Sequence, residues 1–218
     1  VATLKEKMRD VTVTERTSMV YYEGTLEGLD VVVVQCGIGK VNAAMCTQIL
    51  CDCFGVTHIL NTGIAGSLCA DLDIGDLVVS TDAMYHDFDC APINPDYAVG
   101  QVPGLPVRTF KADELLIKMA FEAAQAVSNA KIGRVASGDQ FIGTKEGKER
   151  IKKFVQGDCA EMEGAAIAHA CWLNRIPFVI VRAISDSADE EANMSYEQFV
   201  LLAAKRSSEL VEKMLEKM

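Results

Sequence analysis

Phe178-Val179-Ile180-Val181-Arg182-Ala183-Ile184-Ser185-Asp186 is the most apolar strand-like run of the chain, with one charge inside it and a carboxylate at its end. A run without polar alternation has neither face in water, so it reads as a strand of a sheet covered on both sides by helices. Working outward, similar short runs occupy 29–35, 57–61, 76–80 and 131–137. Helical patterns lie between them over 40–53, 111–128, 144–155 and 161–174. A last one, over 195–217, carries Leu201, Leu202, Leu210, Met214 and Leu215 on one flank. Strands that alternate with helices predict one α/β domain. Four of the five prolines (Pro92, Pro95, Pro103 and Pro106) fall within 84–106. Apolar residues persist through that stretch, so it reads as an excursion from the sheet and not as a linker.

With 218 residues, 50% hydrophobic and 24% charged, the chain can bury a sizeable core and is too apolar for disorder. Its net charge of −10 gives no electrostatic footprint for a phosphate backbone, which argues against a nucleic-acid partner. No apolar run approaches the roughly 18 residues of a membrane span. The eight cysteines sit mostly among apolar neighbours, as Cys36, Cys46 and Cys171 do, in the manner of buried free thiols. There is no C-x-x-C pair, and Cys51 and Cys53 are spaced for neither a zinc site nor a redox motif. A reduced chain in the cytoplasm, without a metal, is the expectation; no signal peptide is seen, although the chain begins at Val1 and not at Met.

Two glycine-rich segments follow strands, Gly37-Ile38-Gly39-Lys40 and Gly63-Ile64-Ala65-Gly66. Neither is a nucleotide fingerprint. Asn42 stands where the third glycine of G-x-G-x-x-G belongs, and Val34 and Val41 break the P-loop pattern. They read equally well as tight strand-to-helix turns and as ligand loops at the carboxyl ends of strands. In Ser137-Gly138-Asp139-Gln140-Phe141-Ile142 the Phe could be core, yet its Gly, Asp and Gln neighbours are loop-like, and a flat ring beside free backbone groups suits a flat heterocycle. Glu161-Met162-Glu163 precedes a small, apolar helix, where a carboxylate is also favourable for dipole reasons alone. Arg182 inside an apolar strand requires an anionic or polar partner. Asp186 is placed either to cap the next turn or to act as a general acid.

In this order, these five segments resemble the bacterial 5′-methylthioadenosine/S-adenosylhomocysteine nucleosidases of the purine nucleoside phosphorylase superfamily, over essentially all of 1–218. The resemblance implies a three-layer α/β sandwich, with a central mixed twisted sheet flanked by helices, as a single nucleoside hydrolase domain. It implies hydrolysis of the N-glycosidic bond of methylthioadenosine and S-adenosylhomocysteine, and of related 5′-substituted adenosines such as 5′-deoxyadenosine or 6-amino-6-deoxyfutalosine, without a cofactor. Phe141 then stacks on adenine, the Ile142 backbone reads the base edge, and Asp186 protonates N7. Glu163 grips the ribose hydroxyls, Met162 lies against the sugar, and Arg182 lies near the attacking water. Ile38, Cys90, Met162 and Tyr196 match the lining of an apolar slot for the 5′-alkylthio group. Tyr97 and Pro103 reach into a neighbouring subunit's site, because the family is homodimeric.

Two departures accompany the resemblance. Many relatives have Ser at the position of Ile64, where its hydroxyl helps to hold the water. The family also begins with an apolar strand and a glutamate that acts as base on that water. The chain starts at the Val that follows this glutamate, so both are expected upstream of Val1. A phosphate-dependent phosphorylase remains the alternative, but 59–67 holds no Lys or Arg for a phosphate dianion, and His58 is a weak candidate. A non-catalytic nucleoside-binding protein is the third reading.

Overall fold

The computed structural model describes residues 1–188 and 192–218, the side chains of 192–198 and 200 excepted. After a short helix α1 (Ala2–Lys7), the chain forms a meander of β1 (Arg9–Arg16), β2 (Met19–Leu26) and β3 (Leu29–Val34), all antiparallel. Both connections are two-residue turns, Thr17-Ser18 and Glu27-Gly28, with positive φ at each position. That backbone twist matches the twist of the flanking strands, which is why such tight hairpins use it.

The remaining strands build a mixed sheet. They are β4 (Ile59–Ser67), β5 (Leu77–Tyr85), β6 (Phe110–Lys111), β7 (Ala130–Ser137), β8 (Cys159–Glu161) and β9 (Phe178–Asp186), in the order β6-β5-β7-β8-β4-β9. β4 and β9 are parallel, as are β5 with β7 and β7 with β8, whereas β8 joins β4 antiparallel through Gly66↔Ala160 and Ser67↔Cys159. β9 also pairs antiparallel with β5, Leu77 to Val79 against Val181 to Ala183. Strands β5, β7, β8, β4 and β9 therefore close on themselves.

Five helices cover this sheet, α2 (Lys40–Phe54), α3 (Glu114–Gln125), α4 (Lys145–Phe154), α5 (Gly164–Asn174) and α6 (Ala192–Leu215). α2 packs on α5, and α3 packs on α6, which lies against β9 and β4. The result is the expected sandwich of helices around a mixed sheet. All nine residues of β9 are buried, as the unbroken apolar run requires. α5 approaches the sheet closely because Ala165, Ala166, Ala168 and Ala170 present little bulk to it. Asp113 caps α3 by accepting the Leu115 and Leu116 N–H groups, and Thr144 caps α4 by accepting that of Gly147. All eight cysteines are free thiols. No helix among the described residues is long and apolar enough to cross a membrane.

The second glycine-rich segment differs from its sequence reading. Gly63-Ile64-Ala65-Gly66 does not turn after the second strand but continues it, paired with β9 as far as Gly66↔Asp186. The glycines are there for room. Where Gly63 lacks a side chain the Arg182 guanidinium fits in, and a Cβ on Gly66 would stand 2.6 Å from Asp186 Oδ1.

Candidate functional site

The carboxyl ends of β7 and β8 stand side by side, as do those of β4 and β9, and the antiparallel β8–β4 pairing joins the two. Ser137 is level with Glu161, Ala160 with Gly66, and Gly66 with Asp186. At this edge the buried Arg182 guanidinium finds its partner. Its Nη2 bonds Glu161, with both side chains almost fully buried, and donates to Asn61 Oδ1 at 2.6 Å. Glu163 Oε2 lies 3.9 Å from the same nitrogen.

Glu161 is the organising group. Its two oxygens accept the Gly164 N–H at 2.9 and 2.8 Å and the Glu163 N–H at 3.1 Å, so this carboxylate caps α5 from outside the helix. The Ser137 hydroxyl donates to it and accepts the Ala165 N–H at 2.7 Å, tying the end of β7 to the same helix start. Glu163 is thereby released from capping. Its Oε1 accepts the Gly39 N–H at 2.9 Å, across from the first glycine-rich loop. Burial pushes the Glu163 carboxyl above its ordinary value, with Arg182 pulling the other way and Glu161 adding to the rise.

Asp186 is buried at the end of β9, where Ser185 Oγ donates to its Oδ2 at 2.7 Å and the Ala188 N–H to its Oδ1 at 2.9 Å. Phe141 follows β7 in a loop and is 50% exposed, too open for a core ring; Ile142 beside it is half-buried. Met162, between the two glutamates, is half-buried, and so is Ile64, on β4 level with Ala183. Ile38 is 72% exposed on the glycine-rich loop. Cys90 and Tyr97 are half-buried and Pro103 is exposed, all in the 84–106 excursion, which Arg108 anchors by donating to the Val99 and Phe154 carbonyls. The Tyr196 side chain lies outside the described residues.

Arg182, Ile64, Met162, Glu163 and Asp186 thus gather at one sheet edge, with Phe141 and Ile142 on the loop that leaves it and Ile38 beside the Gly39 that Glu163 holds. The distinct task of Glu161, and the contributions of Ser137 and Asn61, are not apparent from sequence motifs. Ser137 ends a strand and Asn61 lies within one, positions where polar side chains usually signal a hydrogen-bonded network. Thr62 Oγ1 and Arg182 Nε are buried there without a partner among the described residues.

Comparison with known proteins identifies the family and the fold. The family described as the Phosphorylase superfamily matches residues 1–216. The 5′-methylthioadenosine/S-adenosylhomocysteine nucleosidase of Oceanobacillus iheyensis is 41% identical over 219 residues, covering 100% of this chain and 94% of its own length. The Neisseria meningitidis nucleosidase of the same name, solved with methylthio-immucillin-A, superposes with a TM-score of 0.95 at 39% identity, covering 100% of this chain and 94% of that one. Futalosine hydrolase of Helicobacter pylori superposes with a TM-score of 0.93 at 33% identity, covering 99% and 91%.

Proposed function

The chain belongs to the phosphorylase superfamily and, within it, to the 5′-methylthioadenosine/S-adenosylhomocysteine nucleosidases, and on that premise we propose that it hydrolyses the N-glycosidic bond of these two nucleosides, releasing adenine and the 5-thioribose. Adenine leaves poorly as an anion, so Asp186 supplies a proton at N7 as the bond to C1′ breaks. Positive charge grows on the ribosyl carbon, and the Glu163 carboxylate, accepting the ribose hydroxyls, gains strength as it does. Phe141 offers its exposed face to the purine, with the Ile142 backbone at the base edge. Met162, Ile38 and Cys90 line the alkylthio slot, with Ile64 near the attacking water.

The observation that carries this reading is the state of Arg182. Its charge is already matched by Glu161, with Glu163 close by, and 59–67 contributes no Lys or Arg. A phosphate dianion there would meet carboxylates instead of a free cation, which supports water as the nucleophile. Because substrates of this class differ only at the 5′ position, 6-amino-6-deoxyfutalosine and 5′-deoxyadenosine fall under the same chemistry. Similarity to a futalosine hydrolase supports that extension.

The protein acts in the cytoplasm as a homodimer in which 88–106, with Tyr97 and Pro103, closes the partner's slot. Support comes from exposed apolar side chains at Ile38, Val41 and Met45 near the start of α2 and at Ile93 in the excursion. The test is adenine release from methylthioadenosine by the full-length protein in phosphate-free buffer. Release that requires added phosphate, or tight binding without release, would overturn the hydrolase reading, and a monomer at micromolar concentration by light scattering would overturn the dimer.

A further inference from the structure

Three charged residues outside the proposed chemistry form a closed circuit between the loops that carry it. Lys40 opens α2 next to Gly39, Asp87 lies just past β5, and Asp139 lies in the loop after β7. Lys40 Nζ donates to Asp87 Oδ2 at 2.7 Å, and the same oxygen accepts the Asp139 N–H at 2.9 Å. Asp139 Oδ1 in turn accepts the Lys40 backbone N–H at 2.8 Å, and its Oδ2 stands 3.6 Å from Lys40 Nζ. Each member is thus joined to the other two. Nor is this an ordinary surface pair, because the Lys40 and Asp87 side chains are only 24% and 12% exposed.

The ends of the circuit matter more than its middle. One residue before Lys40, the Gly39 N–H holds Glu163 Oε1. Two residues after Asp139 stands Phe141. We infer that Lys40, Asp87 and Asp139 are positioning residues, a clamp that sets the span between the group gripping the ribose and the ring stacking on the purine. This rests on the roles given above to Glu163 and Phe141. Gly39 belongs to the same design. It has φ +92°, and a Cβ there would come within 3.1 Å of Asp139 Oδ1, against the carboxylate that holds the next residue. Burial of Asp87 raises its pKa, but the Lys40 ammonium and the Asp139 N–H outweigh that, so the carboxyl stays below its ordinary value and charged.

A clamp of this kind acts on ligands that span it. Adenine alone touches one side; a nucleoside reaches both. Lys40→Met removes the cation between two carboxylates, which then repel and part the loops. The probes are adenine and a 5′-methylthio nucleoside of 7-deaza-adenine, which lacks N7 and so is not hydrolysed. We expect Lys40→Met to weaken the deaza-nucleoside by about 10- to 100-fold, the scale of a small misplacement at a reacting site, and adenine by less than about 3-fold. In Lys40→Met/Asp87→Asn one of the repelling charges is gone, so at least half of the loss, on a logarithmic scale, returns. Thermal unfolding, followed alongside, checks that each variant is folded at the temperature of the binding assay. Equal loss for both ligands, no loss for either, or a double variant no better than the single one overturns the clamp. If the parent protein binds neither ligand, the functional reading falls and the clamp falls with it. A parent that binds both, beside an unchanged Lys40→Met variant, removes the clamp alone.

Discussion

Glu161 and Glu163 are two residues apart, yet their replacement by glutamine should have opposite consequences. Glu161→Gln leaves the Arg182 guanidinium, 3% exposed, without its hydrogen-bonded anion, with only Glu163 at 3.9 Å. It also sets an amide NH₂ where either Arg182 or Ser137 already donates, so one carboxylate oxygen is replaced by a group that cannot accept. Breaking a buried ion pair by removing one partner costs about 3–5 kcal/mol. Typical domains have about 5–15 kcal/mol in all, so the loss is a large share of the total. With about 2–4 °C per kcal/mol for a chain of this size, the unfolding midpoint should fall by roughly 6–20 °C. Glu163→Gln removes a carboxylate that burial already makes unfavourable in its charged form. A carboxyl whose folded pKa is raised costs stability above that pKa, so neutralising it at pH 7 should leave the midpoint unchanged or slightly higher. Differential scanning fluorimetry and denaturant titration of both variants read this contrast. A Glu161→Gln protein within about 1 kcal/mol of the parent would refute the view that this carboxylate holds the buried charge.

Asp186→Asn keeps the shape but not the transferable proton, so turnover of methylthioadenosine should fall by about 10²–10⁴-fold with adenine affinity nearly unchanged; near-native turnover would leave Asp186 only a structural role at the strand end. In Gly66→Ala the new methyl meets Asp186 Oδ1 at 2.6 Å and the Ala188 Cβ at 2.8 Å. Steady-state kinetics should show at least about a tenfold fall in kcat, from displacement of the acid. Because the folded Glu163 pKa lies above the ordinary 4.5, acidification should weaken nucleoside binding with a midpoint above that value. Glu163→Gln should bind more weakly throughout and lose that dependence; a parent whose affinity is flat down to pH 4.5 would contradict the role.

The strand 178–186 could be read from sequence because total burial leaves a plain mark, seven residues from Phe178 to Ile184 in which Arg182 is the one polar side chain. The need of Arg182 for a partner followed from the same burial, but which of two nearby glutamates served it did not. That choice depends on the direction in which α5 starts. β1 and β2 left little mark. β1 is mostly exposed, and its turn to β2 is Thr17-Ser18, not the Asn-Gly or Asp-Gly that advertises a hairpin. Gly63 and Gly66 suggested a turn because glycine usually makes one. Their real cause is the bulk of two β9 side chains, information held 120 residues away. Lys40, Asp87 and Asp139 are each ordinary in sequence and acquire meaning only when the ends of β5, β7 and the loop before α2 meet.

The pairing of β9 with both β4 and β5 bears on how the molecule breathes. Over Val181 to Ala183 each edge of the strand is occupied, by Thr62 to Ile64 on one side and Leu77 to Val79 on the other. No edge is left from which this segment could peel, so its amide protons should trade with deuterium only when the whole domain opens. The loops at 37–40 and 138–142 have no such enclosure and should exchange through small local openings. Arg182 is thus carried by the slowest part of the protein, and Phe141 by one of its faster parts. Adaptation to a different nucleoside can then proceed in the loops while the centre of charge keeps its place.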